Sequence, residues 1–303
     1  MKRRDFMMLL AGAASWSLLR PIAGRAQTLA ASAAPAGGQI GQVATLQGTA
    51  TVKRAGAAAA VLKVKDAIFK NDVLETDANA ALGVTFDDES TFSLSANTRL
   101  VVDEFVYQEG GSGNAALLTV ARGTVAFVAT LVAKTGDMKI ATPTATLGIR
   151  GTTGVVEVPE PGAQGGAAAP PAGESRIKLY PDADGHVGQI EVFDRQGGRL
   201  GALTQSASAF AIRPGAGGRM QAVAFRIPPQ EFARDRGALQ RLFVSHTIGR
   251  RMAIERRRSR GRGPQRPNNL RQPGRRQPFR NLRSPGGRPR FQPRRPRWPG
   301  GRR

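Results

Sequence analysis

The chain has 303 residues, of which 40% are hydrophobic, and it carries a formal net charge of +23 with no cysteine. The lack of cysteine excludes disulfides, thiol nucleophiles and thiolate metal ligands, and with only two histidines, His186 and His246, a zinc site would need mainly carboxylates, which is unusual. The charge lies at the ends, since residues 250–303 hold 20 arginines and one glutamate while residues 27–249 hold 20 basic and 20 acidic residues.

The first 26 residues have the pattern of a signal peptide. Residues 2–4 are basic, residues 6–19 form an uncharged, mostly apolar run, and small residues precede a cleavage position between Ala26 and Gln27. The apolar run is too short to span a bilayer, which needs about 20 residues. Arg3-Arg4 is typical of a twin-arginine export signal, with an ordinary Sec signal as the alternative. The sequence therefore predicts a periplasmic, extracellular or envelope-associated protein whose mature chain has no transmembrane segment.

The next part of the chain has the pattern of β-strands. Residues 27–38 are a linker rich in small residues, and in residues 39–158 hydrophobic residues alternate with polar or small ones, so that Leu82, Val84 and Phe86 share a face. Gly, Asp, Asn and Pro separate these runs at turn positions. The pattern predicts an all-β fold, either an antiparallel sandwich or barrel-like domain or a short β-solenoid.

A second linker, residues 159–173, is rich in Gly, Ala and Pro and is expected to be flexible. The β pattern resumes over residues 174–227, and a helical pattern covers residues 228–255. This C-terminal helix has an apolar stripe that we expect to pack on its own domain, with a membrane surface as the alternative. The stripe consists of Phe232, Leu239, Leu242, Phe243 and Ile248.

Residues 256–303 consist almost entirely of Arg, Pro, Gly, Gln and Asn. Such a composition cannot bury enough surface to offset chain entropy, so the sequence predicts a disordered basic tail. In an exported protein the tail would bind envelope anions, such as lipopolysaccharide, anionic lipid or another polymer. In the cytoplasm it would bind nucleic acid by phosphate pairing and stacking, which export makes the weaker alternative.

Residues 142–154, TPTATLGIRGTTG, carry the most information. Three glycines suggest backbone positions with positive φ or close approach. The stretch resembles the signature that closes the FecR-type domain, a bacterial module that works outside the cytoplasmic membrane. The residues that match the signature are Thr142, Pro143, Ala145, Gly148, Ile149, Arg150, Gly151 and Thr152.

The resemblance extends over about residues 41–156, where several further elements follow in the order of the family. Lys65 and Glu89 depart from the pattern, since the family usually has glycine at both positions. The iron-signalling members have a cytoplasmic sigma-factor-binding region and a membrane helix, whereas the sequence of this chain predicts a cleavable leader. We therefore expect no direct anti-sigma activity and keep a role in iron-uptake signalling as an alternative.

Nothing in the sequence indicates catalysis, and we predict no catalytic, cofactor-binding or metal-binding residues. Most carboxylates lie at turns, where Asp bonds its own backbone, and Asp182-Ala-Asp184-Gly185 has only the start of a calcium-loop spacing. We expect Arg150 to be at least half-buried and to pair with a turn carboxylate such as Asp88, with a ligand role as the alternative. The overall prediction is a non-enzymatic binding, sensing or scaffold protein of the envelope with a periplasmic protein partner.

Overall fold

The computed structural model describes residues 38–135, 137–164 and 170–261. The predicted signal peptide, its cleavage position between Ala26 and Gln27, most of the linker at residues 27–38 and the tail beyond residue 261 lie outside the described residues. The described part consists mainly of strands followed by one long helix.

In chain order, the elements are β1 (Gly41–Gln47), β2 (Ala50–Lys53), β3 (Ala60–Val61), β4 (Ala67–Ile68), β5 (Val73–Thr76), β6 (Ala81–Phe86), β7 (Thr91–Leu94), β8 (Arg99–Val106), β9 (Ala115–Val128), α1 (Leu131–Thr135), β10 (Asp137–Ala141), β11 (Thr146–Arg150), β12 (Thr153–Val158), β13 (Ser175–Tyr180), β14 (Gln189–Phe193), β15 (Arg199–Leu203), β16 (Ser208–Pro214), β17 (Met220–Arg226) and α2 (Pro229–Gly261).

The strands form one hydrogen-bonded sheet with two halves, and the long strand β9 belongs to both of them. The helix-side half has the strand order β4-β1-β6-β7-β9-β12-β13-β16-β17. The second half has the order β3-β2-β5-β8-β9-β10-β11-β14-β15. Among the described strands every pairing is antiparallel except that of β9 with β10. The prediction of an all-β fold with a C-terminal helix is confirmed.

Gly123 lies at the point where β9 passes from one half to the other. Its φ is +93°, and a Cβ atom there would lie 2.3 Å from the hydroxyl oxygen of Thr98, so only glycine fits. The apolar faces of the two halves meet in one core. Within it, four phenylalanine rings contact one another at centroid distances of 4.9 to 5.9 Å, namely Phe86, Phe92, Phe105 and Phe127.

Helix α2 lies across the outer face of the helix-side half. Ala238 and Leu242 of the helix pack there against Ala126, Val128 and Val155 of the sheet. The strands beneath the helix are consequently buried on both faces, as shown by β7 and β12, in which every residue is buried. The helix therefore completes the burial of this half of the sheet. No helix of the described part combines the length and the apolar character needed to cross a membrane.

The face of α2 that packs on the sheet coincides only in part with the predicted apolar stripe. Leu242 is fully buried and the partly buried Leu239 and Phe243 pack beside it, whereas Phe232 and Ile248 remain 40% and 39% exposed. The buried positions instead recur every three or four residues and are mostly small or polar; they are Asp235, Ala238, Leu242, Ser245, Gly249 and Ala253. The reason is the sheet surface below, which presents small and polar side chains that a helix face of small residues can approach closely.

The helix also continues to Gly261, whereas the sequence predicts that it ends at residue 255. The physical reason is that Arg256 and Arg257, which the composition places in the tail, form ion pairs with Asp87 and Glu89 in the turn between β6 and β7. The last turns of α2 are thus held by tertiary contacts that local composition does not reveal.

Candidate functional site

The first half of the signature closes the hairpin between β10 and β11. The Thr142 hydroxyl oxygen accepts a hydrogen bond from the amide of Ala145 (3.0 Å) and donates one to the Ala145 carbonyl oxygen (3.0 Å). The Thr142 amide donates to the same carbonyl at 2.8 Å. Residues 142–145 therefore form a tight turn whose polar groups bond to one another.

The second half of the signature carries the chain from β11, in the second half of the sheet, to β12, in the helix-side half. Gly151 has a φ of +51° at this crossing. The next residue, Thr152, accepts a hydrogen bond from the Gly188 amide on its hydroxyl (3.2 Å) and one from the Ala129 amide on its carbonyl (3.1 Å). The signature thus builds a strand crossing that joins three neighbouring segments.

Arg150 is exposed at the end of β11, so the prediction of a buried or half-buried arginine is wrong. Leu147 and Ile149 are buried in the core, and because side chains alternate along a strand, Arg150 must point to the opposite face. The arginine of the signature therefore lies on the surface of the described part.

The Asp-rich turn between β6 and β7 is bonded internally at its central residue. Asp88 is fully buried and accepts hydrogen bonds from the Ser90 amide (2.9 Å), the Ser90 hydroxyl (2.6 Å) and the Val132 amide of α1 (3.2 Å). Burial raises the pKa of the Asp88 carboxyl, although the bonds from Ser90 oppose the rise. Asp88 therefore fixes α1 to the turn, and the predicted pairing of Asp88 with Arg150 is wrong.

The two residues that flank Asp88 bind the C-terminal part of α2. Asp87 pairs with Arg256 at 2.5 Å, and Glu89 pairs with Arg250 at 2.7 Å and also with Arg257. We call these five residues the C-terminal clamp. Glu89 has a φ of +69°, at one of the two positions where the family resemblance predicts glycine. Here the departure from glycine supplies a carboxylate that two arginines of α2 bind.

A second cluster of charges, the Lys178 network, holds the N-terminal part of α2. The Lys178 ammonium group is completely buried and lies 2.8 Å from Glu157, 2.9 Å from Asp235 and 3.1 Å from Glu231. The Tyr180 hydroxyl donates a hydrogen bond of 2.6 Å to the same Asp235 carboxylate. The network therefore joins β12, β13 and α2 through groups that are all largely removed from water.

The charge states in the Lys178 network follow from burial and from the neighbouring charges. Burial opposes the charge on Lys178, but the Glu157 and Asp235 carboxylates outweigh it and raise the pKa of the ammonium group. Burial and the bond to Asp235 both raise the pKa of the Tyr180 hydroxyl. Lys178 is therefore charged and Tyr180 neutral near pH 7.

Between these two ends, α2 and the sheet touch through small and polar groups. The hydroxyl oxygens of Ser245 and Thr45 lie 2.5 Å apart, and His246 Nδ1 lies 3.2 Å from the Thr91 hydroxyl. A Cβ atom on Gly249 would lie 1.8 Å from the Thr85 hydroxyl oxygen, so this close approach requires glycine. The helix is therefore joined to the sheet mainly by specific polar contacts, with a small apolar cluster near Leu242.

A cleft of about 440 Å³ opens beside α2, next to the strand crossing of the signature. Its charged and titratable lining residues are Glu89, Lys134, Asp182, Asp184, His246 and Arg250. Burial and the nearby Arg250 lower the pKa of His246, so its imidazole is neutral near pH 7. The residues 182–185 form the expected turn, in which the Gly185 amide donates to the Asp182 carbonyl (2.9 Å). Within the described ranges no cluster of three acidic or histidine residues is arranged to hold a metal ion.

The Asp-rich turn and the signature both lie in a segment that matches a known family. The family model described as FecR protein matches residues 72–166. Residues 72–166 therefore match a FecR-type domain. Residues 41–71, which the sequence resemblance also includes, lie outside the matched segment, as do β13 to β17 and α2.

Two crystal structures of a candidate anti-sigma factor from Parabacteroides distasonis ATCC 8503 are similar to this chain. The first has 10% identity and a TM-score of 0.38, with 54% of this chain and 63% of that chain covered. The second has 10% identity and a TM-score of 0.36, with 53% of this chain and 62% of that chain covered. The similarity therefore spans just over half of this chain and just under two thirds of each of the crystallised chains. No curated protein matches the sequence.

Three residues that join α2 to the strands were not singled out from the sequence, namely Glu157, Lys178 and Asp235. Glu157 and Lys178 lie 21 residues apart on neighbouring strands, and Asp235 lies a further 57 residues from Lys178. The sequence contained one signal for the contact between α2 and the sheet, because the small residues of α2 recur at the spacing of a packed helix face. A second was the pair Glu231 and Asp235 in an otherwise arginine-rich helix.

Proposed function

We propose that the chain is an exported, non-enzymatic regulatory protein whose FecR-type domain binds a partner in the bacterial envelope. The proposal rests on the observation that the polar residues of the domain bond to other parts of the fold. The signature closes a hairpin and a strand crossing, Asp88 fixes α1, and Asp87 and Glu89 hold α2. Because these groups bond within the fold, recognition at the surface fits the described part better than chemistry at the signature.

Export is supported by the leader sequence and is tested on the full chain in its bacterial host. The wild-type protein is expected in the periplasmic fraction, with the mass of a chain that begins at Gln27. The double variant Arg3→Lys, Arg4→Lys is expected to remain in the cytoplasm with its leader uncleaved, because the twin-arginine pathway requires the arginine pair. The matched control, Arg20→Lys, changes a leader arginine outside the pair and should be exported normally.

Two outcomes would contradict parts of the proposal. Normal export of the double variant would contradict the twin-arginine route and show that the leader uses the Sec route. A wild-type chain that stays unprocessed in the cytoplasm would contradict export altogether and would favour nucleic acid as the target of the basic tail.

We also propose that the arginines of residues 262–303 attract anionic polymers of the envelope. The sequence there has 14 arginines and no acidic residue. Deleting residues 262–303 should lower retention of the protein on envelope fractions at about 50 mM salt, and the difference should disappear near 500 mM, where charges are screened within a few ångströms. Unchanged retention after the deletion would exclude this role, and retention that nuclease abolishes would instead identify nucleic acid.

A further inference from the structure

We propose that the outer face of α2 is a docking surface for an acidic amphipathic helix of a partner protein. The surface is a shallow, open depression of about 790 Å³ between side chains of α2 itself, which we call the outer groove. Its apolar residues are Phe232, Leu239, Phe243, Val244 and Ile248. The inference rests on the proposed role of the chain as a binding module, and it names the kind of partner.

The outer groove has the length and spacing that a helix requires. From Phe232 to Ile248 it extends over 16 residues, or about 24 Å at 1.5 Å per residue, which matches between four and five turns of a second helix. Val244 is 51% exposed, and Phe232 and Ile248 are nearly as exposed. Partly exposed apolar side chains in a row along a groove are the features that anchor the apolar face of a helix.

The charge around the outer groove is positive. Arg236, Arg241 and Arg251 are exposed, whereas Glu231 and Asp235 of the same helix turn inward to the Lys178 network. A partner with carboxylates beside its apolar stripe would complement this surface. A second copy of the same face would instead place arginines against arginines, so the charge favours a different, acidic partner.

Polar side chains inside the outer groove favour a protein over a lipid bilayer. Arg236, Gln240 and Thr247 line it together with the apolar residues, so the apolar surface is interrupted. The acyl region of a bilayer offers no hydrogen-bond partners for such groups, whereas a helix with carboxylates does. Arginine and aromatic residues in one patch are also enriched where proteins bind each other.

The test uses the purified mature chain and two synthetic peptides of about 18 residues. One has leucines at helical i, i+3, i+4, i+7 spacing with glutamates on both flanks, and the other has the same composition in scrambled order. Because the basic tail attracts both peptides equally, the difference between their dissociation constants, measured by fluorescence anisotropy, reports on the outer groove. We expect the patterned peptide to bind about tenfold more tightly or better.

The double variant Val244→Ser, Ile248→Ser should abolish that difference, while the control Val61→Ser, an exposed valine on β3, should retain it. All three side chains are exposed, so circular dichroism should show unchanged folding. Equal affinity for the two peptides, or an unchanged preference in the double variant, would overturn the proposal. If the double variant instead loses affinity for phosphatidylglycerol vesicles and not for the patterned peptide, the groove is a lipid surface and the proposal is wrong. Neither result bears on export, which the leader variants test separately.

Discussion

At the scale of single residues, the seating of α2 on the sheet depends on Gly249. A Cβ atom there would lie 1.8 Å from the Thr85 hydroxyl oxygen and 2.5 Å from its Cβ, so Gly249→Ala must push the helix away from β6. We expect this change to lower the free energy of unfolding by about 1–3 kcal/mol, measured by urea denaturation.

Gly237 provides the matched control on the same helix. The nearest atom to a Cβ there is an Arg241 guanidinium nitrogen at 3.6 Å, an ordinary contact. Gly237→Ala should therefore raise the free energy of unfolding by up to about 1 kcal/mol through helix propensity. Equal effects of the two substitutions would show that Gly249 is not in close contact with the sheet.

Two positions where the family resemblance predicts glycine provide a second residue-scale prediction. Lys65 has a φ of +75° and Glu89 a φ of +69°, a conformation that costs most residues about 1–2 kcal/mol. Lys65→Gly should raise the free energy of unfolding by up to about 1 kcal/mol, because it removes this strain and the lysine is exposed.

Glu89→Gly should have the opposite effect. The change relieves the same strain but removes the carboxylate that binds Arg250 and Arg257, so the free energy of unfolding should fall. Urea denaturation of both variants measures the two shifts side by side. A rise of the free energy of unfolding in both variants would contradict a contribution of the Glu89 carboxylate to the docking of α2.

The Tyr180 hydroxyl provides a prediction for alkaline pH. Burial and the bond to Asp235 raise its pKa, so the folded chain keeps the proton where an unfolded tyrosine, with a pKa of about 10, loses it. The folded state then binds more protons than the unfolded state, and stability must fall as the pH rises above about 10.

Tyr180→Phe should reduce the slope of the free energy of unfolding against pH by up to about 1.4 kcal/mol per pH unit. Near pH 7 the same change should lower the free energy of unfolding, because it removes a buried hydrogen bond. Urea denaturation between about pH 8 and pH 11 gives both slopes. Identical slopes for the wild type and the variant would contradict both the burial of the Tyr180 hydroxyl and its bond to Asp235.

At the scale of elements, α2 is held independently at its two ends. The C-terminal clamp binds residues 250–257, and the Lys178 network binds residues 231–235. The double variant Asp87→Asn, Glu89→Gln should therefore lower hydrogen-exchange protection at residues 250–257 by about tenfold, and it should leave residues 235–242 unchanged. Glu104→Gln, at an exposed position on β8, is the control. A uniform loss along the whole helix would show that the two ends are coupled.

The elements differ in how far local sequence determines them. The alternation of Leu82, Val84 and Phe86 predicts a strand, and β6 confirms it with all three residues in the core. In α2 the helical period was equally clear. The sequence did not determine which face of the helix packs on the sheet, because the strands that contact the helix lie far away in the sequence. The end of the helix was misjudged for the same reason, since Asp87 and Glu89 lie 161 to 169 residues before their arginine partners.

At the scale of the whole molecule, the signature predicted the domain but not the arrangement around it. Turn residues and periodicity identify a β domain, whereas the pairing of β13 with β12 and β16, and the meeting of Glu157, Lys178 and Asp235, depend on long-range contacts. Arg150 illustrates the limit within the motif itself. Its conspicuous position between two glycines suggested a buried role, but the alternation of β11 places it on the surface.

One engineered cysteine pair can test together whether α2 docks on the helix-side half and whether the FecR-type domain is exported, because the chain has no cysteine of its own. The hydroxyl oxygens of Thr45 and Ser245 lie 2.5 Å apart although the residues are separated by 200 positions. The variant Thr45→Cys, Ser245→Cys should therefore form a disulfide in an oxidising compartment.

The measurement is the migration of that variant on non-reducing gels after expression of the full chain. We predict a disulfide in the exported protein, a reduced form when Arg3→Lys and Arg4→Lys keep the chain in the cytoplasm, and no disulfide in the control Thr45→Cys, Thr247→Cys, whose second cysteine is exposed on α2. A wild-type leader that yields only reduced protein would contradict export or docking, and a control pair that links as readily as the test pair would contradict the docked position of α2.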